Sequence, residues 1–177
     1  KVWENVLAHG ADPTGVSDSS SAFASAHTAL ATRGGTIFVP AGQYKMSSTL
    51  TFTKTVVFAG AGSGGTTATA STVLVFDAGT VGITFSGQNS LMRDMRVESL
   101  SSSLGTDDGI RVRSNGFVAE HVWIKGFGRD GVNIDGSADN CNSYRLIAVS
   151  STNNKRRGFY STGTDSNAGL LLGCFSQ

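Results

Sequence analysis

The chain has 177 residues, with 14 Lys or Arg against 13 Asp or Glu and a formal net charge of +1. That length suits one domain with a sizeable core, and charges so few and so balanced exclude the clustered basic stripe of a phosphate-binding surface, so no nucleic-acid partner is expected. No run approaches the roughly eighteen apolar residues of a membrane span, so no membrane insertion is expected, while the 23 Gly, the two Pro and short β-branched runs indicate many-turned β structure rather than helix.

One helix is predicted, from Ser17 to about Thr32. Ser17 or Asp18 can cap its start, and Gly34-Gly35 can stop it. Phe23, Ala26 and Leu30 share one narrow face, which suits a helix laid as a lid over the open end of another structure. A short strand follows in Thr36 to Tyr44, broken at Pro40 and turned at Gly42, with further strands at Leu50 to Phe52, Thr55 to Ala59 and Val73 to Phe76. The stretch from Gly60 to Ser71 holds only Gly, Ser, Thr and Ala. It cannot build a core and reads as a surface loop, and because no helix follows its Gly run it is no phosphate cradle.

From residue 82 the sequence repeats. A Gly followed by an apolar residue recurs at Gly82-Ile83, Gly109-Ile110, Gly131-Val132 and Gly158-Phe159, at separations of 27, 22 and 27 residues. Each opens a short strand whose alternate positions are mostly apolar inward and polar outward. A second strand follows at Met95 to Val97, Val122 to Ile124, Ile147 to Val149 and Leu171 to Gly173, the third displaced by three residues. Extra residues in the loop from Gly136 to Asn142 account for the slip, since loops absorb insertions that stacked strands cannot. With two or three strands per repeat and no intervening helix, each repeat is one coil of an all-β solenoid, a parallel β-helix with one N-terminal capping α-helix. One domain is expected, with the cap at 1–35 and coils over 36–177, the last of them incomplete at the C-terminus.

The opening run Asn5-Val6-Leu7-Ala8-His9-Gly10-Ala11-Asp12-Pro13-Thr14-Gly15-Val16-Ser17-Asp18-Ser19, then a helix, then Gly34-Gly35-Thr36-Ile37-Phe38-Val39-Pro40-Ala41-Gly42-Gln43-Tyr44, resembles the start of pectate-lyase-like proteins, whose fold is a right-handed parallel β-helix. The resemblance covers about the first 45 residues. The family includes pectate lyases, polygalacturonases, epimerases and phage tailspikes that bind or cut bacterial surface polysaccharide. It implies a phage tailspike or depolymerase acting on polysaccharide, a virion-tail or extracellular location and a homotrimer. Asp107-Asp108-Gly109 is similar to the "DDG" element of polygalacturonases, but the companions "NTD", "GHG" and "RIK" are absent, as are the calcium-binding Asp sets of pectate lyases. A fold of this kind does not choose a chemistry.

Stacking supplies the candidate site. The residues before the repeating Gly are Val81, Asp108, Asp130 and Arg157, which places Asp108 and Asp130 about one 4.8 Å strand spacing apart, with Asp107 a third carboxylate. Two carboxyl groups roughly 5 Å apart suit a retaining glycosidase, one as nucleophile and the other as acid and base. Three readings stand: that catalytic pair, Asp-Gly corner turns bonding their own backbone, and calcium held by clustered oxygens. Outward positions add a sugar-binding column of Arg111, Asn133 and Tyr160, with Arg157, and beside it Arg113 and Asp135, which can pair across coils. Planar forks and amides suit an acidic or hydroxyl-rich glycan, while a polar ladder is also the ordinary surface of a solenoid. Trp123 is expected outward between Arg96 and Ala148, at a chain contact, under a loop or against sugar. Cys141 and Cys174 lack CxxC spacing and read as small buried thiols. His9 and His27 have no metal-ligand spacing, and neither metal nor cofactor is expected. A non-catalytic structural or glycan-binding module is the alternative to an enzyme.

Overall fold

The structure, a computed structural model, describes residues 2–64, 70–137 and 140–177. Parts of the expected loops at 60–71 and 136–142 therefore lie outside the described residues. In chain order the elements are β1 (Trp3–Asn5), a 3-10 turn (Val6–His9), β2 (Thr14–Asp18), α1 (Ser20–Ala29), β3 (Gly35–Phe38), β4 (Gly42–Met46), β5 (Leu50–Phe52), β6 (Val56–Ala59), β7 (Thr72–Phe76), β8 (Ile83–Phe85), β9 (Leu91–Ser99), β10 (Ile110–Val112), β11 (Val118–Lys125), β12 (Asp130–Gly136), β13 (Arg145–Ile147), β14 (Ser150–Thr152), β15 (Arg157–Gly163), β16 (Leu170–Leu172) and β17 (Phe175–Ser176). The chain is a right-handed parallel β-helix of about six turns with a single helix.

Strands that are neighbours in space are separated in sequence by a whole coil, and they form three stacks. One runs β5, β8, β10, β12, β15, with Ile83, Ile110, Val132 and Phe159 in register. The second passes through β3, β6, the front of β9, the front of β11, β13 and β16. The third follows β4, β7, the back of β9, the back of β11, β14 and β17. The repeating Gly sequence thus opens the strands of one flank, as its spacing predicts.

The bend between the second and third flanks is made by single residues in the left-handed region: Asp94, His121, Ala148 and Gly173, with φ of 57°, 51°, 51° and 62°. Asp and His tolerate this conformation better than most residues, while Ala148 has no polar side chain to offset its cost. This corner corrects the expected strand at Ile147 to Val149. Ala148 splits it into β13 and β14, so Trp123 pairs with Arg96 and Ser150 rather than lying beside Ala148. Val122 then stacks with Val149, 27 residues on, as it does with Met95, 27 residues back. No three-residue slip exists on this flank.

The bore is apolar. Rings of Phe52 and Phe58, Phe52 and Phe85, and Phe85 and Phe117 lie 4.9, 5.4 and 4.8 Å apart. The predicted helix is present but shorter at both ends: Thr14–Asp18 forms β2 against β4 instead of a first helical turn, and Leu30 is already extended, so the helix stops at Ala29 rather than about Thr32. Asp18 nonetheless acts at its start, accepting from the backbone N–H groups of Ser20 and Ser47 at 3.2 and 3.0 Å. Burial raises the Asp18 pKa, but the bonds from Ser47 and Ser20 outweigh it and bring it down to about 2. The helix closes the bore, with Phe23 edge-on to Tyr44 and Phe58 at 5.6 and 6.1 Å. At its other end Lys54 Nζ donates to the carbonyls of His27, Thr28 and Leu30 at 3.1, 3.1 and 2.8 Å. A cation thereby satisfies the carbonyls that a helix C-terminus leaves open.

Candidate functional site

The corner that leads into the Gly-opened strands carries two adjacent columns of charge. Asp108, Asp130 and Arg157 stack immediately before Gly109, Gly131 and Gly158, with Asp130 and Arg157 in direct register. One residue earlier, Asp107, Arg129 and Arg156 stack, the N–H of Arg129 donating to Asp107 O and that of Arg156 to Arg129 O at 3.1 and 2.9 Å. The structure thus brings Asp108 and Asp130 together, and it adds Arg129 and Arg156. The repeat held the signal for these two arginines one position before the column read from it.

Both carboxylates are fully buried, at 0% exposure. Asp108 Oδ2 accepts from Arg111 Nε and Nη2 at 3.0 and 2.8 Å and from Asn133 Nδ2 at 2.9 Å. Arg129 Nε sits 2.9 Å from Asp108 Oδ1 and 3.5 Å from Asp130 Oδ2, close enough for ion pairing but not aligned for a hydrogen bond. Arg156 grips Asp130 through both Nε and Nη2, the former at 2.8 Å. Its guanidinium pKa is raised above the ordinary value, chiefly by the hydrogen bond to Asp130. Asp107 faces away from this network, accepting from Ser101 Oγ at 2.6 Å and the Gly128 N–H at 2.9 Å. Its Oδ1 is buried without a hydrogen-bond partner, and a Cβ at Gly128 would approach it to 2.3 Å. A side chain at 128 would have to displace the Asp107 carboxylate and would also press on the Ser103 carbonyl oxygen at 3.0 Å.

The outward column of β10, β12 and β15 is less open than alternation implies. Every residue of β12 is buried, Asn133 at 1% and Asp135 at 6% exposure included, because long side chains lie over this flank. Arg113 Nε donates to Asp135 Oδ2 at 2.9 Å across one coil. Burial raises the Asp135 pKa, but the bonds from Ser137 and Arg113 and the charge of Arg113 outweigh it and leave the net shift downward. Tyr160 packs against two guanidiniums, with Arg157 Cζ at 4.3 Å and Arg156 Cζ at 4.8 Å from its ring centre. The Tyr160 pKa is lowered, first by a hydrogen bond with Thr162 and then by those two cations.

Trp123 lies on the neighbouring flank. Arg96 stacks on it at 4.7 Å and its indole N–H donates to Thr152 Oγ1 at 2.8 Å, so the ring is held on both counts. His121 occupies the corner and lies 3.6 Å from Asp94. His9 pairs with Glu4 at 2.9 Å. Cys141 and Cys174 are free thiols, Cys141 buried and Cys174 partly exposed. Among the described residues no group of three or more His, Cys, Asp or Glu could hold a metal ion, and no helix is long and apolar enough to cross a membrane.

These features define a right-handed parallel β-helix carrying a buried Asp-Arg network on one flank. Residues 3–80 match the family model described as Rhamnogalacturonase A/epimerase, pectate lyase-like. No curated protein matches the chain. Among solved structures it is similar to ORF18 of Geobacillus virus E2, at 20% identity and a TM-score of 0.58 over 98% of this chain and 42% of that one. It is similar also to the Agl-KA catalytic domain, at 18% identity and a TM-score of 0.60 over 95% of this chain and 36% of that one. The A-module of the Azotobacter vinelandii mannuronan C-5 epimerase AlgE4 follows at 19% identity and 0.51, over 89% of this chain and 59% of that one. The chain therefore spans less than two thirds of the length of each, and at such identities the likeness is one of fold.

Proposed function

We propose that the chain is part of a β-helix protein that recognises a bacterial surface polysaccharide, working on a phage tail or outside the cell as a homotrimer. The observation that carries this reading is the flank where Arg111, Asn133, Tyr160 and Arg157 stack beside the paired Arg113 and Asp135, a rigid polar column on a solenoid. A rigid strand scaffold places such groups without the entropy cost of ordering a loop. The similarity to a viral ORF18 and to the A-module of a mannuronan C-5 epimerase supports the setting. Trp123, already engaged by Arg96 and Thr152, fits a packing role at a chain contact better than free sugar stacking.

Cleavage of the polysaccharide is the second reading. Asp108 and Asp130 occupy adjacent coils, the Asp130 N–H lying 3.4 Å from Asp108 Oδ1, which suits the close carboxyl spacing of a retaining pair, with Asp107 beside them. Their burial and ion pairing favour recognition as the task of this segment, because a reacting carboxylate must meet the sugar. Affinity electrophoresis through gels containing a panel of bacterial polysaccharides tests recognition. Retardation by at least one polysaccharide, weakened in Tyr160→Ala, is the expected result; unchanged mobility throughout would reject it. Reducing-end and unsaturated-product assays on the retained polysaccharide test cleavage, which must then disappear in Asp108→Asn and Asp130→Asn.

A further inference from the structure

We infer that the second flank of the solenoid is a contact face between copies of this chain, packed side by side with their coils level. The inference is drawn from the flank itself and stands apart from polysaccharide recognition; it supplies the contact face that the homotrimer of the preceding reading leaves unassigned.

On this flank Ile37, Phe58, Met92, Ala119 and Leu146 fill the bore at 0 or 1% exposure, so their neighbours in each strand point outward. Two outward columns result. One stacks Val57, Leu91 and Val118 in register, followed by Arg145; the other stacks Arg93, Glu120 and Ile147. Val57, Leu91, Val118 and Ile147 all remain partly exposed. At the cap end Trp3, 54% exposed, stacks on Phe38 at 6.2 Å. The matching columns elsewhere are polar, with Thr84, Arg111, Asn133 and Tyr160 on the first flank and Glu98, Lys125 and Thr152 on the third. Polar ladders are the ordinary surface of a solenoid, whereas an apolar column continued from coil to coil marks a face that something covers.

The period of the column selects its occupant. Its side chains repeat at the strand spacing of about 4.8 Å. An α-helix laid along it advances about 5.4 Å per turn and falls out of step within a few coils, while a second solenoid keeps step throughout. Charge identifies that solenoid as the same chain. Neither the Glu120 carboxylate nor the Arg145 guanidinium has an ion pair or hydrogen bond among the described residues, and the two stand on different columns in adjacent coils. Rotation about an axis parallel to the solenoid keeps the coils level, as closed symmetric assemblies allow. It sets the column of Val118 and Arg145 against the neighbour's column of Glu120 and Ile147. Arg145 then lies about one strand spacing along the axis from the partner's Glu120, and Leu91 and Val118 are covered in the same contact. An antiparallel arrangement sets like column against like, and Arg145 then faces no carboxylate. Trp123 lies just across the His121 corner, at the edge of this face.

The test is the mass of the 177-residue chain by sedimentation velocity over a dilution series, beside outward-facing variants whose fold is checked by circular dichroism. The unaltered chain is expected to run above the 18.3 kDa of a single copy. Leu91→Glu puts a charge at the centre of the face without entering the bore, and should weaken association about tenfold or more. Glu120→Arg should weaken it roughly fivefold, the upper value of one exposed ion pair. Combining Glu120→Arg with Arg145→Glu should restore it, because the exchanged charges again meet between copies. If Leu91→Glu does not fold, the charge exchange decides alone. A chain that is monomeric throughout the series, association that survives Leu91→Glu in a folded chain, or a charge exchange that fails to restore association would each overturn the inference. Two copies rather than three would support this contact while rejecting the homotrimer.

Discussion

Asp108 shows what a buried charge demands of its surroundings. Its carboxylate is reached by Arg111, Arg129 and Asn133, from its own and the next coil. Truncation in Asp108→Ala strands two guanidiniums and an amide beside each other and beside Asp130. We expect a loss of about 3 kcal/mol in urea denaturation, at the low end for breaking a buried ion pair because the arginines reach solvent. A change below about 0.5 kcal/mol, the range of ordinary surface substitutions, would show that the network contributes no stability. The partners were only half legible beforehand. The Arg113–Asp135 pair follows from stacking the repeat, and so does the Asp130–Arg157 register. That Asp130 is gripped by Arg156 rather than Arg157 does not follow, because a side chain's direction at a corner depends on backbone angles that the repeat does not specify.

At the scale of elements, the helix that closes the bore is held as much by its neighbours as by its own apolar face. His27 lies at its C-terminal end, edge-on to Phe52 at 5.4 Å, and its Nε2 accepts from the Lys54 N–H at 3.4 Å. That bond requires the neutral ring. Burial, and then the charge of Lys54, lower the His27 pKa below its ordinary 6.5. The folded state therefore prefers the neutral form. Its stabilising effect is complete above the unfolded pKa and is lost as pH falls from about 6.5 through the lowered folded value. Thermal unfolding followed across that window should show stability declining with acidification, and His27→Gln should remove that part of the slope. An identical slope in the variant would assign the pH dependence elsewhere. The helix was readable from its Phe23, Ala26 and Leu30 face and its following glycines. Its start was not, because Thr14–Asp18 gains more by pairing with β4 than by forming another helical turn.

For the molecule as a whole, a solenoid is stabilised by contacts between neighbouring coils, so protection should vary along its axis. Inner strands such as β10 and β12 have partners on both sides, while β15, β16 and β17 have one. Leu170, Leu171, Leu172 and Phe175 are exposed there at 47 to 58%. In a polypeptide of residues 1–177, native-state hydrogen exchange should find the slowest amides in β8, β10 and β12 and faster exchange through β15 to β17. Uniform protection along the axis would mean that the chain opens only as a single unit.

The sequence by itself determined the coil. A Gly-apolar signal repeated at near-constant spacing, with inward apolar and outward polar alternation, admits few structures other than stacked parallel strands, and it predicts the register of Ile83, Ile110, Val132 and Phe159. Tertiary structure decided where each coil bends and which charges meet. Ala148 becomes a corner because the corners at Asp94 and His121 are stacked above one another, and a coil that bent elsewhere would lose its pairing on both sides. Asp108 and Asp130 become buried because arginines from three coils converge on them, and that convergence exists only once the coils are stacked.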